Sequence, residues 1–133
     1  MIILLRLLFV LVLASMLAVT SWASLNCALF SIPPAVASHP WFVATLVDAY
    51  WGFVCFYLWI VWKEKGALSR LLWFFAVMLL GNIAMASFAL RELFRIRQVS
   101  EIPSLLASRN ESSLPLPAVL CLLSAAALIL GSL

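Results

Sequence analysis

The sequence predicts an all-α fold, a small transmembrane helical bundle of four spans. Composition, the lengths of the apolar runs, and the placement of tryptophan and basic residues all support it. Of the 133 residues 67% are hydrophobic and only 10% are charged, whereas soluble domains carry about 25% charged residues. With a mean hydropathy of +1.20, the excess is too large for the core of so short a chain, so lipid is the expected solvent. The length suits a single membrane domain, residues 1–133, with no separate catalytic module.

Four apolar segments cover about residues 7–25, 40–62, 71–90 and 117–133, with a polar connection over 91–116. A hydrocarbon layer of about 30 Å needs about 20 helical residues. The second and third segments fit that length, and the fourth is close to the minimum. The first also resembles a signal peptide: Arg6 precedes the apolar run and Ser21-Trp22-Ala23 stands where cleavage would occur. Because the run continues through that site, an uncleaved anchor is the preferred reading. Cleavage would leave three spans.

Trp22 and Trp41 mark one interface, and Trp59, Trp62 and Trp73 the other, as aromatic belts do. Pro40 suits the first turn of the second helix, where its missing N–H costs nothing, with Ser38 or His39 as cap. Net charge is +3. The basic residues lie beside apolar segments, which suits span edges and not a nucleic-acid surface. Arg6 with Lys63, Lys65 and Arg70 argues for a cytoplasmic N-terminus. Four consecutive spans, however, would place Arg91, Arg95, Arg97 and Arg109 outside. Arg6 is expected to snorkel to headgroups or to pair with Glu64, and Lys63-Glu64-Lys65 to anchor a helix end in water.

Asp48 is the one charged side chain in the middle of an apolar segment. Intramembrane acids are costly and usually face a partner or a cavity. Trp41, Thr45, Asp48, Gly52, Cys55 and Trp59 recur at steps of four and three, forming one helix face. Small and polar residues let helices approach closely, so this stripe is expected to pack inside the bundle. On the third segment Gly81 and Asn82 lie at a matching depth. A neutral Asp48 hydrogen-bonded to Asn82 is the expected polar pair, with Thr45, Tyr50, Tyr57 and Ser87 as other partners.

Nothing in the sequence pairs a nucleophile with a base, and no enzyme activity is expected. His39 is the sole histidine, so neither a metal site nor a cofactor is anticipated. Cys27, Cys55 and Cys121 form no C-x-x-C pair. Asn110-Glu111-Ser112 matches a glycosylation acceptor. Neither an internal repeat nor a pair of broken helices stands out, which weighs against a transporter.

The run Pro40-Trp41-Phe42-Val43-Ala44-Thr45-Leu46-Val47-Asp48-Ala49-Tyr50, closed by Trp59 and Lys63-Glu64, resembles a known family. It is similar to small uncharacterised integral membrane proteins of plants and bacteria, grouped as a domain of unknown function. Their pattern reads Pro-Trp-x-x-Ala-Thr-Leu-x-Asp-x-Tyr. The similarity weakens through 71–94, with Gly81-Asn82, and is lost from Arg97 onward, so the fourth span is an addition to the family pattern. The resemblance implies a membrane protein without an assigned activity and makes Thr45, Asp48 and Tyr50 part of a signature.

The expected function is therefore structural or associative: a multi-pass protein with Asp48 buried in the bundle. The lipid bilayer is the expected environment, and a homo-oligomer or a membrane complex supplies the partner. A small homo-oligomeric, proton-linked transporter using Asp48 is the alternative.

Overall fold

The computed structural model describes residues 1–111 and 113–131. The chain is all-helical: α1 (Ile2–Asn26), α2 (Pro34–Ala37), α3 (Pro40–Lys63), α4 (Ala67–Leu80), α5 (Asn82–Leu93), α6 (Ile102–Ala107) and α7 (Pro115–Gly131). Short 3-10 turns occupy Leu29–Ser31 and Val99–Glu101. Among the described residues only α1 and α3 are long and apolar enough to cross a membrane; α4 and α7 are shorter apolar helices.

Several polar groups of the long helices are satisfied within their own helix. In α1 Thr20 donates to the Met16 carbonyl at 2.6 Å and Asn26 to Trp22 at 2.8 Å, while in α3 Thr45 donates to Trp41 at 2.8 Å. Such bonding back into the preceding turn removes hydroxyls and amides from competition for water. Pro40 occupies the first turn of α3 as expected. Neither expected cap forms, because Ser38 donates to Pro34 and His39 makes no side-chain cap.

The segment expected to be a single span, 71–90, is instead a hairpin. In a straight helix Trp73 and Phe88 would stand about 22 Å apart. Their ring centroids are 5.0 Å apart, edge to face. The chain folds back at Gly81, whose φ of +52° and ψ of −122° lie in a region costly for any residue with a Cβ. The apex is also tight, since a Cβ on Gly81 would lie 2.5 Å from Phe53 Cζ. The broken helix that the sequence pattern did not reveal is therefore present, and glycine makes it.

Phe88 is the hub of the core. Trp73, Trp59 and Phe56 meet it edge to face, at 5.0, 5.2 and 6.1 Å. Ile60, Ala76, Val77, Ala84 and Leu120 complete this cluster, so it draws on α3, α4, α5 and α7. Helix α1 lies along α5. There Ile2, Leu93, Ile96 and Leu105 form a second buried cluster at the end of the bundle where the hairpin opens.

The connection expected over 91–116 is largely ordered: α5 extends to Leu93, and α6 follows a 3-10 turn. The fourth segment begins at Pro115, two residues before its expected start, and the expected positions 132–133 lie outside the described residues.

Candidate functional site

The polar side chains that converge most densely lie at the open end of the α4–α5 hairpin. Helix α3 and its C-cap deliver Lys63 and Glu64 there, α4 delivers Ser69 and Arg70, and the end of α5 with the turn after it delivers Arg91, Glu92 and Arg95. Asn110 arrives from the segment after α6 and joins α3 as a strand-like bridge. Its N–H donates to the Lys63 carbonyl at 2.7 Å, and Lys65 N–H donates to the Asn110 carbonyl at 3.3 Å.

Lys63 and Glu92 are buried and ion-paired at 2.9 Å. Lys63 Nζ also donates to the carbonyls of Leu105 at 2.5 Å and Ser108 at 3.1 Å. Arg91 pairs with Glu64 and with Glu92, the latter at 3.0 Å. Asn110 Nδ2 bridges the two carboxylates, donating to Glu64 at 3.1 Å and Glu92 at 2.9 Å. Ser69 donates to the second Glu64 oxygen at 2.7 Å, and Arg95 reaches both Glu92, at 3.2 Å, and Asn110. Arg91 also stacks over the Phe88 and Trp73 rings, at 4.7 and 5.5 Å. Arg91 Nη1 and Trp73 Nε1 are buried donors without hydrogen-bond partners among the described residues.

A buried ion pair persists only where further hydrogen bonds offset its desolvation. Here the offset comes from three separate chain segments, so the network ties α3, the hairpin and the 105–110 segment into one register. Burial alone would raise the Glu64 carboxyl. Hydrogen bonds from Arg91, Ser69 and Asn110, with the Arg91 charge, outweigh it and hold Glu64 below the usual carboxylate range. The sign follows from linkage: a depressed carboxyl stabilises the fold above its unfolded pKa and loses that contribution as pH falls through the folded value. The thermal midpoint in detergent is expected to fall below about pH 4. Glu64→Gln should start lower at neutral pH and show a shallower acid decline. An undiminished decline in that variant would refute this assignment.

Several expected contacts are replaced by others. Arg6 pairs with no acid among the described residues; it donates to the carbonyls of Leu93 at 3.0 Å and Ile96 at 2.7 Å and stacks on Phe94 at 4.9 Å. Those carbonyls lie at the end of α5, where a cation is also favoured by the helix dipole. Lys63-Glu64 does not anchor a helix end in water, since both side chains are fully buried and only Lys65 reaches out, to Glu111 at 2.5 Å. Asn110 is buried with its amide bound, so the acceptor nitrogen of the glycosylation triplet is enclosed; Ser112 lies outside the described residues.

The α3 stripe is the largest correction. Asp48 and Asn82 are both exposed and form no hydrogen bond to each other. They do share a level: Asp48 lies about 22 Å along α3 from Lys63, and Asn82 follows the hairpin apex about 20 Å from Ala67. Trp41, Thr45, Gly52 and Cys55 are exposed as well, and nothing lies within 4 Å of a Cβ built on Gly52. Trp59 is partly buried on the rim, Gly81 is buried at the apex, and Tyr50 lines a shallow apolar groove with Leu46, Val47, Trp51 and Val54. Phe53, Phe56, Tyr57, Trp59 and Ile60 are the α3 residues that pack inward, so Trp59 is the one member of the stripe that reaches the core. Large rings bury more apolar area than glycine, threonine or cysteine, so the aromatic face takes the core and the small polar face is left outside. Tyr57 and Ser87 also go elsewhere, donating to Arg70 at 3.0 Å and Ile83 at 2.7 Å.

Sequence reasoning missed Lys63, Glu64, Ser69, Arg91, Glu92, Arg95 and Asn110 as one constellation. The available signal was a pair of basic–acidic doublets, Lys63-Glu64 and Arg91-Glu92, bracketing an apolar stretch with Gly81 inside it. With glycine between them, the two doublets meet as crossed pairs when the chain folds back, Lys63 with Glu92 and Glu64 with Arg91.

A family model described as "Protein of unknown function (DUF1475)" matches residues 1–107. That range takes in α1 to α6, with the hairpin and the α3 stripe, and stops before α7. No curated protein and no solved structure matches the chain.

Proposed function

From the premise that the chain belongs to this family of unknown function, we propose a multi-pass membrane protein that acts by association within the bilayer. Helices α1 and α3 cross, the α4–α5 hairpin enters and leaves on one side, and the shorter apolar α7 lies against α4. The outward aliphatic surfaces of α1 (Leu4, Leu7, Leu8, Leu11) and α3 (Val43, Leu46, Val47, Leu58) support this reading. So does charge placement, because the hairpin returns Arg91 and Arg95 to the end that holds Lys63 and Arg6. The conflict that four consecutive spans would create then disappears, and the N-terminus is cytoplasmic. Contact of α1 with α5 favours retention of the first segment over cleavage. The Pro40–Tyr50 run is taken as the family's signature, of which Thr45 and Asp48 are the outward part.

The observation that carries the associative role is the exposure of Asp48. An acid facing lipid costs up to about 2.5–3.5 kcal/mol, the figure for the bilayer centre. A second protein surface over Thr45, Asp48, Gly52 and Cys55 removes that cost, and Gly52 leaves room for close approach. Exposed Cys55 reports on it directly. Oxidative cross-linking in native membranes is expected to trap Cys55 in a disulfide-linked dimer or adduct, with Cys27 and Cys121 replaced by serine. Gly52→Leu should abolish the product. Persistence of a monomer under all conditions would count against association through this face. The alternative, a homo-oligomeric proton-linked transporter, draws on the same outward carboxylate and differs in requiring a pH-driven flux that Asp48→Asn removes.

A further inference from the structure

We propose that the open end of the hairpin is a binding surface for the headgroups of anionic phospholipids, an inference that rests on the membrane-embedded reading above. The hairpin brings every Lys and Arg in the chain to this end. Lys63, Glu64, Arg91, Glu92, Arg95 and Asn110 interlock there. Arg6 caps α5, Arg70 donates to the Glu64 carbonyl at 2.7 Å, and Lys65 pairs with Glu111. Arg109 donates to the Trp62 carbonyl at 3.0 Å, and Arg97 lies one turn from Glu101, which accepts its backbone N–H at 3.2 Å.

The acids at this end are Glu64, Glu92, Glu101 and Glu111. Eight cations against four carboxylates leave +4, more than the net +3 of the chain, because the fifth acid, Asp48, sits far along α3. Residues 27–39 at the far end of α1 and α3 contain no Lys, Arg, Asp or Glu. The charge asymmetry between the two ends is therefore complete.

The surplus is outward. Both buried carboxylates are consumed inside the network, whereas the Arg97 and Arg109 side chains are exposed and Arg95 is partly so. Glu111 is already held by Lys65, and Glu101 is engaged with the Arg97 backbone. The surface is framed by apolar groups suited to the interface, with Trp62 and Leu106 half-exposed beside the arginines. Guanidinium groups match phosphate geometry bidentately, and Trp sits favourably at headgroup depth. An anionic leaflet thus completes this end of the molecule.

The test reconstitutes the full chain in phosphatidylcholine vesicles and titrates in brominated phosphatidylglycerol or brominated phosphatidylcholine, reading quenching of tryptophan fluorescence. The wild type is expected to prefer the anionic lipid, and added salt should weaken that preference. The R97Q/R109Q variant should lose about fivefold in preference for each arginine removed. Glycerol phosphate in solution should not compete, which separates a headgroup in a bilayer from free phosphate. Equal quenching by the two lipids, or an unchanged preference in the variant, would overturn the proposal. Alkaline carbonate distinguishes this failure from that of the membrane reading: a chain washed off vesicles of either composition is not inserted, while an inserted chain without preference refutes only the headgroup site. Both arginines lie outside the buried network, and thermal unfolding of R97Q/R109Q in detergent confirms that its fold is retained.

Discussion

Gly81→Ala should lower the unfolding free energy by about 3 kcal/mol, measured by thermal or denaturant unfolding in detergent. Two costs combine. A non-glycine residue at φ +52° and ψ −122° carries backbone strain of about 1–3 kcal/mol. The new methyl would also meet Phe53 at 2.5 Å, and overpacking costs about 1–3 kcal/mol more. Phe53→Ala in the Gly81→Ala background relieves the crowding but loses the packing of the ring, so a double-mutant cycle that includes the Phe53→Ala single variant separates strain from crowding. Loss within about 0.5 kcal/mol, the range of an ordinary surface substitution, would mean that the hairpin does not depend on this glycine. The same hairpin has a topological consequence. Reporters fused at the N-terminus and after Ala107 should report the same side of the membrane, and opposite sides would show that 71–90 crosses after all.

Glu92→Gln should be the more damaging change, at about 3–5 kcal/mol. Removing this charge leaves Lys63 buried with no paired carboxylate, leaves Arg91 with Glu64 alone, and takes the carboxylate partner from Arg95. Most of the loss is the penalty of an uncompensated buried ammonium, not the intrinsic worth of the pair. The double variant Lys63→Met/Glu92→Met should therefore be markedly more stable than Glu92→Gln, because well-packed apolar groups often replace a buried pair at little cost. Equal instability of the two variants would assign the role of Glu92 to its hydrogen bond with Asn110 and not to the ion pair.

These effects show why the sequence is only partly legible. The outer helices α1 and α3 follow from continuous apolar runs and from Pro40, and these are local properties. The site does not. Asp48 attracts attention because a lone charge in an apolar run is conspicuous, whereas Lys63-Glu64 and Arg91-Glu92 look like ordinary helix-end charges. Their burial depends on the 26 residues of intervening chain, 65–90, folding back at one glycine, and apolar periodicity says nothing about the sign of that turn.

By itself the sequence determined the all-helical class, the ends of α3, and the face on which Trp41, Thr45, Asp48, Gly52 and Cys55 fall together. It did so because helix geometry and apolar length are set by residues close in the chain. Only the tertiary structure decided which α3 face turns inward, that 71–90 doubles back, and that every basic residue gathers at one end. Those outcomes depend on competition for burial. The rings of Phe53, Phe56 and Phe88 bury more area than a small polar stripe, and Gly81 alone permits the hairpin that lets them meet.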